Sequence, residues 1–271
     1  MTVVAGRTVQ KWAHLVVGGY DLTGYVNQIG AAMWEYDTPG LMALDDAVQG
    51  GLPNEVTVSL GEVRGIFDNT ATSGLHVALA AGAGSGYIIT AIAGMRATIP
   101  NQVAYPDEGA VGIPAFCGRF NLLQYRQSGN DGILSAPLKF GGWDAGGLIA
   151  YDQPWGSLLV HDDGCTLNAG GTGIASGTGG QTTKGGYMVY HVWGYSGIAG
   201  DTATISIDDS ADNSSFLALS GCTTGSIDVS TKPSGIVAIG KTATVRQYVR
   251  WQVALGTASD VDLTLSFIRG R

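Results

Sequence analysis

Residues 55–67 read EVTVSLGEVRGIF, and this stretch decides the fold class. Every second residue is apolar up to Leu60, and after Gly61 the apolar residues change parity and continue at Val63 and Phe67. A period of two indicates a β-strand with one face in a protein core. A change of parity at a glycine indicates a β-bulge, because one extra residue turns the following side chains to the other face.

Three later segments share this period of two: 202–207, 248–255 and 261–267. Gly-, Asp- and Ser-rich segments lie between the strands of this half, at 196–201, 208–215 and 256–260. Short strands separated by regular turns are typical of a β-sandwich or barrel. We expect half-buried antiparallel strands whose second face is wet or contacted by another surface.

Helix signals are scarce, and the best one predicts a short helix over 70–81 with Ser73 as its N-cap. The predicted helix overlaps a stretch, 75–95, that contains no Lys, Arg, Asp or Glu. This stretch is long enough to test as a membrane span. A glycine-rich run at 82–86 would break a helix at the centre of that stretch. The sequence therefore predicts a short helix, a glycine turn and a strand instead of a span.

The composition is poor in charge and rich in glycine. Charged residues make up 13% of the 271 residues, against about 25% in an ordinary soluble domain. Either copies of the chain cover much of its surface, or Ser and Thr form the polar face. The net charge of -8 argues against sequence-specific nucleic-acid binding, which needs a basic surface.

The cysteines, Cys117, Cys165 and Cys222, are odd in number and widely spaced, so we predict buried free thiols. No apolar leader is visible in residues 1–12, so we expect no secretion signal.

The strongest match to a catalytic motif is GIVAIGKT at 235–242, which satisfies the Walker A pattern. A phosphate loop needs a flexible turn followed by a helix. Here the variable positions are Ile, Val, Ala and Ile, and the residues after Thr242 alternate as a strand does. We predict two strands joined by a turn at Gly240-Lys241.

Other candidate chemistry is weak. The four histidines, His14, His76, His161 and His191, lack ligand spacing and are predicted to be isolated. The three Asp pairs, 45–46, 162–163 and 208–209, point to opposite faces if they lie on strands, which makes them poor acid–base pairs. Segment 208–215 resembles a calcium loop but fits Asx-turn chemistry better. We predict no enzyme activity, no metal site and no cofactor.

Two segments resemble bacteriophage tail proteins. Residues 14–26, HLVVGGYDLTGYV, are similar to the opening of the major tail tube proteins of phages with long, non-contractile tails: a strand, a tight turn and an Asp-Leu-Thr-Gly-Tyr step. A long connection at 31–54, a strand near 56–61 and a helix near Leu75 follow in the family's order. Residues 204–270 resemble the sandwich domains appended to many phage tail proteins.

The resemblance implies an all-β protein of two domains. Residues 1–143 would form a tail-tube-like sandwich or barrel with one short helix, and 144–271 an Ig-like or second tube-like β-sandwich. Rings, usually of six tube domains, would stack into the tail tube of the virion after assembly in the host cytoplasm. Tape-measure protein and then DNA would pass through the channel, and tail tip and terminator proteins would be further partners, without a membrane. If the second domain is also tube-like, three subunits would make a pseudo-sixfold ring.

The connection at 31–54 is our candidate for the contact between consecutive rings. Large apolar groups in a long loop need a surface to cover them. The candidate contact residues are Met33, Trp34, Tyr36, Pro39, Leu41, Met42 and Leu52. The alternative is that they cover the subunit's own core.

Two other functions stay open at this point. A capsid decoration or baseplate protein of the same virion would form small closed oligomers. A carbohydrate-binding β-sandwich would use an aromatic platform, for which Trp143, Tyr151 and Trp155 are the candidates.

Overall fold

The structure is a computed structural model that describes residues 13–36, 40–41, 50–51, 56–68, 70, 74–79, 82, 84–93, 112–130, 133–143, 154–166, 169–170, 173–175 and 181–270. Within these residues the chain is all-β, with one short α-helix, and its antiparallel sheets curl into a half-barrel. The predicted fold class is confirmed.

The first half of the chain contributes eleven described strands and the helix. They are β1 (Ala13–Val17), β2 (Tyr20–Asp21), β3 (Val26–Gln28), β4 (Ala32–Tyr36), β5 (Gly40–Leu41), β6 (Gly50–Gly51), β7 (Val56–Ile66), α1 (Leu75–Ala78), β8 (Gly86–Ala93), β9 (Pro114–Tyr125), β10 (Ser128–Asn130) and β11 (Ile133–Trp143).

The second half contributes nine described strands. They are β12 (Trp155–Thr166), β13 (Ala169–Gly170), β14 (Ile174–Ala175), β15 (Gly186–Ser196), β16 (Thr202–Ser210), β17 (Leu217–Asp228), β18 (Ser234–Ile239), β19 (Tyr248–Leu255) and β20 (Asp260–Arg269).

One large sheet runs through both halves, in the order β18-β15-β20-β12-β9-β11-β7-β3. Strand β9 is its junction. One edge of β9 pairs with β8, which continues to β1, while the other edge pairs with β12 near Ala115 and with β11 from Phe120 onward. The predicted domain division at 143/144 falls between β11 and β12, and it stays a prediction.

A smaller sheet, β13-β19-β16-β17 with β14 also on β19, covers one face of the second half. The core between the two sheets contains the predicted apolar rows of β16, β19 and β20. In β20 these are Val261, Leu263, Leu265 and Phe267, all buried. Strands β13 and β14 both lie in the Gly/Thr/Ser-rich part of the chain that follows β12.

The first half has a core of its own, which holds Leu60 and Val63, and the second half has the core between its two sheets. A third, smaller core joins the halves, and we call it the seam. Here the face of β1, β8 and β9 that points away from their own core meets the second face of β12, β15 and β20. Its buried apolar residues are Ile92, Ala115, Cys117, Leu158, Tyr187, Val189 and Ile268. Thr264 and Ser266 of β20 are consequently buried, because protein covers both faces of that strand.

The predicted bulge lies at the predicted place. Phe140 of β11 pairs with Leu60 and Leu138 pairs with Val63, so two residues of β7, Gly61 and Glu62, oppose one on β11. The extra residue turns Val63 into the same core that holds Leu60.

The helix is shorter than the predicted 70–81. It begins at Leu75, and its N-cap is Gly74 instead of Ser73. Asp68 uses Oδ1 to accept the N–H of Thr70, and its carbonyl accepts the N–H of His76, which sets the helix start one residue later. The glycine turn and the strand β8 follow as predicted, with Gly82 and Gly84 at positive φ. No helix among the described residues is long and apolar enough to cross a membrane.

The segment 31–54 is not a loop throughout. Its start, β4, pairs with β7 from Ala32↔Leu60 to Tyr36↔Val56. Further along, Gly40 and Leu41 pair with Gly51 and Gly50, so part of the segment forms a β-hairpin. Strand β4 pairs with the part of the β7 edge that β3 does not occupy. Local sequence does not reveal this pairing.

Candidate functional site

Among the predicted ring-contact residues, only Met33 has a described side chain. Trp34, Tyr36 and Leu41 have described backbones in β4 and β5, whereas Pro39, Met42 and Leu52 lie outside the described residues. The assignment of this set to ring contacts stays a prediction.

Met33 belongs to an apolar area on the large sheet, on the face that points away from the core of the first half. We call this area the outer patch. It consists of Met33 on β4, Ser59 on β7, Gly141 on β11 and Leu123 on β9. Met33 pairs with Ser59, and Ser59 pairs with Gly141. A Cβ on Gly141 would lie 2.9 Å from Leu123 Cδ1 and 3.3 Å from Ser59 Cβ, so Leu123 lies across the glycine.

The outer patch exposes large apolar groups at its top. Met33 is 40% exposed and Leu123 is 53% exposed, while Ser59 is buried and its Oγ makes no hydrogen bond to the described residues. Charged groups of both signs surround the patch, among them the exposed Glu35 on β4 and Lys139 on β11. An apolar centre with a rim of mixed charge is the anatomy of a protein–protein contact.

A cluster of histidines lies at the rim of the seam. Directly paired residues point to the same face, and His161 on β12, Thr264 on β20 and His191 on β15 form one such row. From the facing part of the same large sheet, His14 on β1 approaches His161, with 4.6 Å between the ring centroids. The prediction of isolated histidines is therefore wrong for these three.

Threonine hydroxyls orient the two contacting rings. Thr23 Oγ1 donates to Asp21 Oδ1, so it accepts from His14 Nδ1 at 3.4 Å, which places the proton of that ring on Nδ1. On the other side, His161 Nδ1 lies 2.7 Å from Thr264 Oγ1, which also accepts from Trp193 Nε1 at 3.2 Å.

Burial lowers the pKa of two of the histidines. It lowers the pKa of His14, and the neighbouring His161 lowers it further, against the opposing effect of Asp21. Complete burial, with His161 as the second cause, lowers the pKa of His191 to about 3. Its Nε2 lies 2.9 Å from Thr90 Oγ1 across the seam, and its Nδ1 makes no hydrogen bond to any described residue.

Three side chains of this cluster could hold a metal ion. One donor atom each from His14, Asp21 and His161 lies within 4.8 Å of the others. The fourth histidine, His76, lies apart, is exposed and contacts Tyr125 Oη at 2.8 Å through Nδ1. The sequence carried no local signal for the cluster, since the ligands come from β1, β2 and β12.

The Walker A match forms no phosphate loop. Its residues up to Ile239 are strand β18, which pairs with β15 from Gly235↔Tyr190 to Ile239↔Gly186. The chain then turns at Lys241, and Val245 forms a single bridge to Thr182 before β19 begins. The first predicted strand and the turn are confirmed, whereas the second strand begins only at Tyr248 instead of directly after the turn.

The carboxylates at 208–212 have structural partners. Asp208 accepts from Arg250 and Gln252, whereas Asp209, on the other face of β16, accepts the N–H of Arg246 at 2.8 Å. Asp212 Oδ1 accepts the N–H groups of Ser215 and Ser214 and the hydroxyl of Ser210. These hydrogen bonds lower the pKa of Asp212, and they confirm the Asx-turn interpretation.

Two further predictions concern the cysteines and the aromatic platform. The cysteines are buried free thiols, as predicted. Of the aromatic platform, Tyr151 and the Trp143 side chain lie outside the described residues, and Trp155 packs edge-on against Phe116 with 5.3 Å between ring centroids.

No protein-family model matches the sequence, and no curated protein matches it. One solved structure with similarity is the SPP1 Dit (gp 19.1) protein, described as a paradigm of the hub adsorption apparatus in phages that infect Gram-positive bacteria. The match has 12% identity and a TM-score of 0.30, and it covers 94% of this chain and 98% of that chain. A superposition this loose carries no statement about function.

Proposed function

We propose that this chain is a structural subunit of a bacteriophage tail that works as a self-assembled polymer, and that the polymer is the tail tube. The assignment to the tail tube is supported by the order of segments in residues 14–75, which resembles that of the tube proteins. The observation that carries self-association is the outer patch, an apolar area on the solvent side of a sheet with exposed Met33 and Leu123. In a chain with 13% charged residues, a second copy is the natural cover for such a surface.

The position of the patch fits the predicted role of segment 31–54. Met33 lies on β4, the first part of that segment. One strand of the patch therefore belongs to the same segment as the hairpin that contains β5 and β6. A contact between this region and a different surface of the next subunit is heterologous, and repeated heterologous contacts build filaments or closed rings. Stacked rings would enclose the channel for tape-measure protein and DNA.

Negative-stain microscopy and sedimentation at rising protein concentration test the proposal. We expect hollow tubes of uniform width from the intact chain. The variant Met33→Glu places a charge in the patch and should abolish assembly while the subunit stays folded. Ile198→Glu is the matched control, because Ile198 is 75% exposed in a turn of the other half, and it should assemble normally.

Deletion of 37–49 tests the hairpin separately and should leave a folded monomer that cannot polymerise. Small closed oligomers would favour the decoration or baseplate alternative over the tube. A subunit that stays monomeric at every concentration, or Met33→Glu tubes as abundant as those of the intact chain, would refute the assembly role of the patch.

A further inference from the structure

We propose that His14, Asp21 and His161 form a binding site for a divalent transition-metal ion, with zinc the best match to the donor set. This site goes beyond the proposed function and does not depend on it. Two imidazole nitrogens and one carboxylate oxygen are ligands that zinc accepts, with water as the fourth ligand. Such a set also suits cobalt and nickel, which serve as probes.

The distances permit coordination after small side-chain movements. Donor atoms 4.8 Å apart at most share a centre that lies about 2.8 Å from each of them. Zinc bonds to nitrogen and oxygen are about 2.0–2.2 Å long, so each donor atom has to approach by about 0.7 Å. All three residues are half-buried, which leaves their side chains room to turn and gives an ion a path from solvent.

Hydrogen bonds from behind the ligands prepare them for coordination. Ligating histidines commonly donate their other ring N–H to a protein acceptor, which sets the tautomer and the ring orientation. Here threonine hydroxyls contact Nδ1 of both rings, Thr23 for His14 and Thr264 for His161, and so hold the two rings in place. Thr23 binds Asp21 as well, through its N–H at 2.9 Å and its hydroxyl.

The charge of the cluster also favours a cation. The rings of His14 and His161 are in contact, with 4.6 Å between their centroids, so a shared cation is more favourable there than a proton on each ring. The carboxylate of Asp21 supplies the negative charge that a divalent ion needs. The three cysteines are buried, so their thiols do not compete for added metal in the folded protein.

The consequence for the fold is a bridge between the two halves. His14 and Asp21 belong to the β1–β2 hairpin of the first half, whereas His161 belongs to β12, on the side of the seam that the second half contributes. A metal ion at this position would tie the hairpin to the second half at the rim of the smallest core. Binding to the folded state alone stabilises it by mass action.

The test uses the untagged full-length chain, stripped with a chelator, and titrates it with Zn²⁺ and Co²⁺ by calorimetry and visible absorption. We expect one ion per chain, tetrahedral Co²⁺ bands, and a rise in Tm of about 5 °C at a hundredfold excess over Kd. His14→Ala and His161→Ala should weaken binding by at least about tenfold. His76→Ala is the matched control and should bind as the intact chain does.

A measurement on the intact chain avoids dependence on variants that fail to fold. Zinc should slow amide hydrogen exchange in β1, β2 and the centre of β12, and leave the β16–β17 hairpin unchanged. Absence of saturable binding, equal affinity in the double variant His14→Ala/His161→Ala, or loss of binding in His76→Ala would each overturn the proposal.

Discussion

The buried histidine of the seam makes the stability of this protein depend on pH in a calculable way. His191 is completely buried, and its contacts cross the seam to Thr90. Burial, helped by His161, lowers its pKa from 6.5 to about 3. In the unfolded chain the same imidazole returns to its ordinary pKa, so the two states bind different numbers of protons between these values.

The sign follows from which state binds the proton. Below pH 6.5 the unfolded chain takes up a proton on this ring and the folded chain does not, so acid favours unfolding. Stability contributed by the neutral ring is complete above pH 6.5 and is lost as the pH falls toward 3. Each pH unit well below 6.5 costs about 1.4 kcal/mol, and the loss between pH 7 and pH 5 is about 2 kcal/mol.

Urea unfolding at pH 7, 6 and 5, followed by circular dichroism in the presence of a chelator, measures this loss. The variant His191→Asn has no titrating ring, so its unfolding free energy should fall by about 2 kcal/mol less than that of the intact chain between pH 7 and pH 5. The exposed His76→Asn is the control and should keep the full pH dependence. Equal slopes for His191→Asn and the intact chain would refute the reasoning.

Two further predictions concern stability in the second half. Arg250 donates through Nε and Nη2 to Asp208 at 3.1 and 2.9 Å, so Asp208→Ala should lower the unfolding free energy by about 1–3 kcal/mol in urea titrations; an unchanged midpoint would contradict this. A Cβ on Gly156 would lie 2.5 Å from the carbonyl oxygen of Phe267, so Gly156→Ala should lower Tm by several degrees, whereas nothing lies within 4 Å at Gly129 and Gly129→Ala should not; equal melting temperatures would contradict the close approach of β12 to β20.

Local patterns in the sequence were sufficient for individual strands. The parity change at Gly61 predicted the bulge of β7, and the alternation at 261–267 predicted which side chains of β20 enter the core. Both follow from strand geometry, because successive side chains point to opposite faces whatever surrounds them. The helix over 70–81 was predicted too long, because its start depends on hydrogen bonds to Asp68.

The sequence by itself determined the all-β class, the turns before β16 and before β20, and the buried state of the thiols, whereas the turn predicted at 208–215 begins only after Ser210, the last residue of β16. Only the tertiary structure decided that β9 joins the halves, that Thr264 faces protein instead of water, and that His14 meets His161. The physical reason is that a period of two identifies the two faces of a strand but carries no information about what covers each face. That cover comes from strands far away in the chain, and so do the contacts that join His14 to His161 across the seam.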